Sequence, residues 1–147
     1  MIKKADKSDV AVLAELSAKL WDGHSLSELE HEFEALAENP DAACFIKYVD
    51  NQPIGFAQCQ LRRDYVEGTQ TSPVGYLEGI FVLKEYRKKG YAREMLVACE
   101  KWALNKKCIE FASDCAIDND VSLQFHLAMG FDVANRIICF QKTLNNN

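Results

Sequence analysis

The sequence predicts an α/β domain of the α+β type, with a mixed, mostly antiparallel central sheet flanked by about four helices. Three observations carry this. Apolar residues switch repeatedly between helical spacing and strand-like runs, giving the order β, α, α, β, β, β, α, β, α, β. Asp50-Asn51-Gln52-Pro53 joins two strand-like runs directly, as an antiparallel hairpin requires. One strand–helix–strand passage in the second half supplies a crossover. The chain has 147 residues, 48% hydrophobic and 27% charged, enough for one domain, residues 1–147, with its own core.

The elements follow in order. MIKKA reads as a short first strand. From Asp9 to Leu20, Val10, Leu13, Leu16 and Leu20 recur at helical spacing. Ser25-Leu26-Ser27-Glu28 has the form of a capping box, so a second helix is expected from there towards Ala37. The polar-aromatic connection WDGH lies between the two. ACFIKYV and IGFAQCQLR are the hairpin strands. After the loop DYVEGTQTSP comes the apolar strand VGYLEGIFVL, then a cationic turn and a helix from Tyr91 to Lys106. CIEFAS is a short strand and DCAIDND a loop. Val121 to Met129 is a helix stopped by Gly130. FDVANRIICFQKTL is expected to form one bent strand or two short ones, and Asn145-Asn146-Asn147 to fray.

Composition narrows the function. The formal net charge of −5 argues against nucleic acid or an anionic membrane as partner and is compatible with a cationic substrate. No apolar run reaches the roughly 18–20 residues of a bilayer span. Lys3 and Lys4 near the start are not followed by an apolar segment, so no signal peptide is expected and the cytoplasm is the expected location. The six cysteines form no C-x-x-C pair and lie mostly in apolar stretches, which predicts reduced, buried thiols. Neither they nor His24, His31 and His126 show metal-site spacing, and no metal is expected.

The turn EYRKKGYARE places Arg87, Lys88, Lys89 and Arg93 where a strand ends and a helix begins. The first N–H groups of a helix have no intrahelical acceptor, and its dipole is positive there. Gly90 permits close backbone approach. Taken alone, such a turn suits either a pyrophosphate cradle or a solvated helix cap. Glu78 interrupts the apolar run VGYLEGIFVL, a position that needs a partner or a cleft, and Gly79 beside it signals a bulge.

Arg87-Lys88-Lys89-Gly90-Tyr91-Ala92 resembles the Q/R-x-x-G-x-G/A pyrophosphate loop of the GNAT N-acetyltransferase superfamily. The bulged strand before it and Asn119 with the later FHLAMGF extend the match. Within that superfamily, LWDGH, RRDYVEG, SPVGYLEGIFVL, ASD with DN, and FHLAMGF make the chain similar to the aminoglycoside 6′-N-acetyltransferases of bacterial resistance. The resemblance implies a GNAT-like sheet, acetyl-CoA as cosubstrate, direct transfer in a ternary complex and a homodimer. The apolar RIICF stretch also needs cover against edge pairing. It implies that Ile80, Phe81, Val82, Lys88, Lys89, Gly90, Tyr91, Ala92, Arg93 and Asn119 bind acetyl-CoA. Trp21, His24, Tyr65, Glu78, Asp114 and Asn135 would line the aminoglycoside site. Asn135 departs from the family, which carries a Glu there, so one anionic contact is expected to be missing. His126 stands where many members carry a Tyr that protonates the leaving thiolate. It is either that acid or a structural helix residue.

The chemistry suits these residues. An amine with a pKa near the lysine value of about 10.4 is almost wholly protonated at neutral pH, and an active-site carboxylate can accept its proton directly or through water. Asp114 is the favoured base, with Glu78 orienting substrate or sharing the role. Cys115 beside Asp114 offers a thiol nucleophile, but no histidine adjoins it. Other small polyamines, peptide amines and a non-catalytic acyl-CoA-binding role stay open, since one scaffold serves many ends.

Overall fold

The computed structural model describes residues 1–145; Asn146 and Asn147 of the expected frayed tail lie outside the described residues. The chain divides into two compact units, Met1–Asp114 and Cys115–Asn147.

The first unit holds a five-stranded sheet in the order β1-β2-β3-β4-β5. Its strands are β1 (Ile2–Lys4), β2 (Ala42–Val49), β3 (Gln52–Arg62), β4 (Val74–Val82) and β5 (Phe111–Ser113). The first four pair antiparallel and β5 runs parallel to β4. The β2–β3 turn has Asp50 at φ 51° and Asn51 at φ 64°. Positive φ at both central residues is the type I′ geometry whose twist matches a hairpin.

Helices α1 (Val10–Ala18) and α2 (Leu26–Glu38) pack on each other and on the sheet. Val10, Leu13 and Leu16 of α1, Phe33 of α2 and Cys44, Ile46 and Phe56 of the sheet make one buried cluster. Helix α3 (Tyr91–Asn105) packs on β2, β3 and β4. It buries Met95, Leu96, Cys99, Trp102 and Ala103. Their spacing of three and four makes one apolar stripe along the helix.

The capping box at Ser25 forms by half. The Ser25 hydroxyl accepts from Glu28 N–H at 3.1 Å. The Glu28 carboxylate lies 3.5 Å from His24 Nδ1.

The second unit contains α4 (Asp120–Ala128), capped by Asn119 and followed by Gly130 at φ 93°. The strand expected over FDVANRIICFQKTL is absent among the described residues, which carry no strand after α4. A strand exists only when a neighbour accepts its ladder, and alternation alone supplies none. Ile137, Ile138, Phe140 and Leu144 are exposed, Phe140 at 90%. The thiol expectation divides likewise. All six cysteines are free, and Cys44, Cys59, Cys99 and Cys108 are buried, but Cys115 and Cys139 are exposed. Cys139 sits beside the exposed Ile138 and Phe140.

Candidate active site

One sheet face of the first unit collects the chemistry. Arg62 and Gln60 of β3 lie opposite Val74 and Tyr76 of β4. Tyr76 lies opposite Ala112 of β5, and Asp114 follows Ala112 by two residues, the strand repeat. Between them the register slips: Gln58 pairs with Gly79 while Cys59 pairs with Leu77, so Glu78 is the extra, bulged residue. The bulge expected at Glu78-Gly79 is therefore formed.

These residues make a connected polar group. The Arg62 guanidinium donates from Nε to Glu78 Oε2 at 3.1 Å and from Nη2 to Oε1 at 2.8 Å, a two-pronged ion pair. Its carbon lies 3.5 Å from the centre of the Tyr76 ring. The Tyr76 hydroxyl donates to Asp114 Oδ2. Burial, then the Asp114 carboxylate, push the Tyr76 phenol well above its ordinary value, so it keeps its proton. Glu78 holds Arg62 above its own ordinary value. Asp114 thus carries one oxygen committed to Tyr76.

A cleft of about 310 Å³ opens beside Glu78. Trp21 and Phe33 wall it, and His24, Glu32, Gln58 and Glu78 supply polar groups. Trp21 meets Phe56 edge-on, with ring centres 5.8 Å apart. A Cβ on Gly79 would fall 2.5 Å from the Trp21 ring, so the bulge and the indole require glycine between them. Trp21 is therefore both core and cleft wall. A larger depression, about 570 Å³, lies along His24–Glu34 with Glu28, Glu30, Glu32 and Glu34 around it. It continues the acidic lining outward from the cleft.

The structure brings Trp21, His24 and Glu78 to the cleft and Asp114 to the polar group on the same face. Tyr65 is 77% exposed in the β3–β4 loop and does not line the cleft. Glu32, Gln58, Arg62 and Tyr76 were missed. Glu32 could have been found, since it lies three residues after buried Leu29 and so borders the apolar face of α2. Arg62 and Tyr76 carried no local signal, because their partners lie 16 and 38 residues away.

At the other end of β4 the cationic turn takes the expected form. Lys88 has φ 63° and Gly90 φ 83°. Gly90 is the N-cap of α3 and no side chain caps the helix. A Cβ on Gly90 would meet nothing within 4 Å. The N–H groups of Tyr91, Ala92 and Arg93 head the helix, and the first intrahelical bond runs from Glu94 N–H to Gly90 O. Arg87 is turned back instead, donating from Nε to Val82 O at 2.8 Å with its guanidinium 5.5 Å from the Phe81 ring. It braces the turn against the strand. Lys47, almost fully buried, donates to Glu94 at 3.1 Å and lies 5.0 Å from the Tyr91 ring, anchoring the first turn of α3 from below. The sequence hid it inside an apolar strand. Ile80, Phe81 and Val82 pair with Ala57, Phe56 and Gly55. The β5 pairing ends at Leu77, and among the described residues no strand pairs with that edge of β4 from Glu78 onward, so the edge is open to a ligand's ladder.

In the second unit, Asn119 Oδ1 accepts from Ser122 N–H at 3.1 Å. His126 Nδ1 lies 2.7 Å from the Ser122 carbonyl oxygen, which only accepts, so Nδ1 carries a proton. The His126 ring meets Phe125 and Phe131 edge-on at 5.7 and 5.1 Å. The Asn135 side-chain oxygen accepts from Arg136 N–H at 2.8 Å.

An open-edged β4 with a bulge, running into a glycine-headed helix, is the arrangement that the resemblance to the N-acetyltransferases implies. The family model described as Acetyltransferase (GNAT) family matches residues 11–131, and the chain belongs to that family. It is 37% identical over 141 residues to an aminoglycoside N(6′)-acetyltransferase type 1 of Salmonella enteritidis, covering 96% of this chain and 97% of that protein. A namesake from Acinetobacter haemolyticus is 38% identical over 144 residues, with 98% and 99% covered. Among solved structures, AAC(6′)-Iy in complex with the bisubstrate analog CoA-S-monomethyl-acetylneamine superposes with a TM-score of 0.94 at 36% identity, covering 98% of each chain. Among the described residues no group of three or more His, Cys, Asp or Glu fits a metal ion, and no helix is long and apolar enough to cross a membrane.

Proposed function

We propose that this chain is an acetyl-CoA-dependent aminoglycoside 6′-N-acetyltransferase that confers antibiotic resistance by direct transfer in a ternary complex. The observation that carries the reading is the placing of Glu78 and Asp114 on one face, with Glu78 at an acid-lined cleft. The relatives act on aminoglycosides by name and match along nearly the whole chain. The family match also spans both compact units, which supports a single domain over 1–147.

The uncapped start of α3, its free approach at Gly90 and the charges of Lys88, Lys89 and Arg93 fit a pyrophosphate. Acetyl-CoA supplies the acetyl group as a thioester. Tyr91 and Ala92 complete the cradle, and the backbone of Ile80, Phe81 and Val82 on the open edge of β4 orients the acyl end and polarises its carbonyl. Asn119 joins the cosubstrate contacts. Trp21 and His24 contact the sugar rings from the cleft, and Tyr65 reaches them from the β3–β4 loop outside it. Asn135 leaves one ammonium contact unmade and thereby shapes the substrate range. Asp114, with one oxygen on Tyr76, takes the amine proton on the other, while Glu78 holds an ammonium. His126 protonates the departing thiolate. If so, His126→Phe lowers kcat more than it raises KM for acetyl-CoA, and a wild-type kcat would return the residue to structure alone.

A homodimer completes the reading, supported by the exposed Ile137, Ile138, Phe140 and Leu144. The cytoplasm, with its acetyl-CoA and reducing conditions, suits six free thiols. The test is incubation of purified protein with acetyl-CoA and aminoglycosides that bear or lack a 6′-amino group. Acetylated product is expected from the first set only. Turnover of simple polyamines or peptide amines in preference would move the assignment to another amine, and binding without turnover to a sensor.

A further inference from the structure

Arg62 places a positive charge where the proposed function wants a substrate's ammonium. Its fork occupies both oxygens of Glu78, at 2.8 and 3.1 Å. The Glu78 side chain is 17% exposed and that of Arg62 40%, so the carboxylate sits deeper and the guanidinium lies towards solvent. The groups near the guanidinium are Glu78, the Tyr76 ring and, at the hydroxyl end of that ring, Asp114, which also attracts it. Two carboxylates and one guanidinium leave this face with a single net negative charge. Glu78 alone among the three also lines the cleft.

Resting on the reading of a cationic substrate, we propose that Arg62 is an internal competitor for the ammonium subsite. It neutralises Glu78 in the free protein and swings outward when a substrate ammonium takes its place, staying stacked near Tyr76. Arg62 thereby sets a threshold. A polycation with a close-set pair of ammonium groups displaces the guanidinium, whereas a monoamine does not. A purely structural strut makes the opposite prediction, because loss of the strut loosens Glu78 and weakens binding.

The deciding experiment is calorimetric binding of kanamycin and of a simple monoamine to the wild-type chain, Arg62→Gln and Arg62→Lys. Arg62→Gln is expected to bind kanamycin roughly two- to fivefold more tightly, the fold-change that a partly exposed ion pair represents. It is expected to gain relatively more for the monoamine, narrowing the discrimination. The gain is expected to vanish in 1 M salt and in the Glu78→Gln background, as a coupling through one ion pair requires. Arg62→Lys keeps the charge without the fork and is expected to fall between; it carries the test if Arg62→Gln fails to fold. Binding that is unchanged or weaker in the variants, or a gain that persists without Glu78, overturns the proposal. Because binding is read without turnover, absence of acetylation by the wild-type protein would instead overturn the functional reading.

Discussion

At Asp114, one hydrogen bond decides how a carboxylate is used. Tyr76 takes one oxygen and, being held protonated, cannot repel the charge it faces. Asp114→Asn is expected to lower kcat roughly 10²–10⁴-fold at neutral pH, the usual range for loss of a general base. The deficit shrinks as pH rises and more amine is already neutral; steady-state kinetics across pH measure this. An undiminished kcat would pass the base role to Glu78. Tyr76 also has a stability signature. Its folded value lies above its unfolded one, so its contribution is complete below about pH 10, the unfolded value, and is lost as pH climbs towards the folded one. Alkaline denaturation curves are expected to lose that part of their slope in Tyr76→Phe. Glu78 was legible as a carboxylate that breaks an apolar run, and it lies in the middle of β4 rather than at its end; Asp114 was legible as a carboxylate just past a short strand. The phenol and the guanidinium joining them were not, since long-range register alone brings these side chains together.

Among the elements, β4 and α3 were the most legible because two signals agreed on each. For β4 these were an apolar run and a Glu-Gly interruption; for α3, a glycine after a cationic turn and the likeness of that turn to a pyrophosphate loop. The bulge appeared where Glu78-Gly79 predicted it. The segment after α4 was misread for a physical reason. Residues such as Ile137, Ile138 and Phe140 have strand propensity, but propensity expresses fit to a neighbouring strand and is not a property of the residue alone. The α3 start carries its own test. Gly90 has φ 83°, a conformation that costs a residue with a side chain about 1–2 kcal/mol, and its surroundings leave space for one. Gly90→Val is therefore expected to remain folded with a lowered melting temperature and to bind acetyl-CoA markedly more weakly. Calorimetry on the folded variant measures it. Unchanged affinity would move the pyrophosphate elsewhere.

For the whole molecule, charge and unburied apolar surface are the relevant quantities. The net charge of −5 is concentrated usefully, with four glutamates of α2 leading towards the cleft. That distribution favours encounter with a polycation before any contact forms. The exposed Ile137, Ile138, Phe140 and Leu144 leave a stretch that water disfavours. A dimer mass is expected by light scattering at micromolar concentration, and a monomer there would remove the dimer from the reading. Composition was compatible with a cationic partner and argued against nucleic acid. It did not indicate where the acids gather, because that depends on α2 lying beside the bulge of β4.

The early end of β5 pairing has a consequence for backbone opening. Beyond the bulged Glu78, alternate amides of β4 point to β3 and stay in a ladder, while those between them point to the open edge. Hydrogen–deuterium exchange along Gly79–Val82 is therefore expected to alternate from one residue to the next, slow where β3 is faced and fast where it is not. Adding acetyl-CoA should slow the fast set and leave the slow set as it was. A uniform rate along the four positions would mean that the edge is already closed before any ligand arrives.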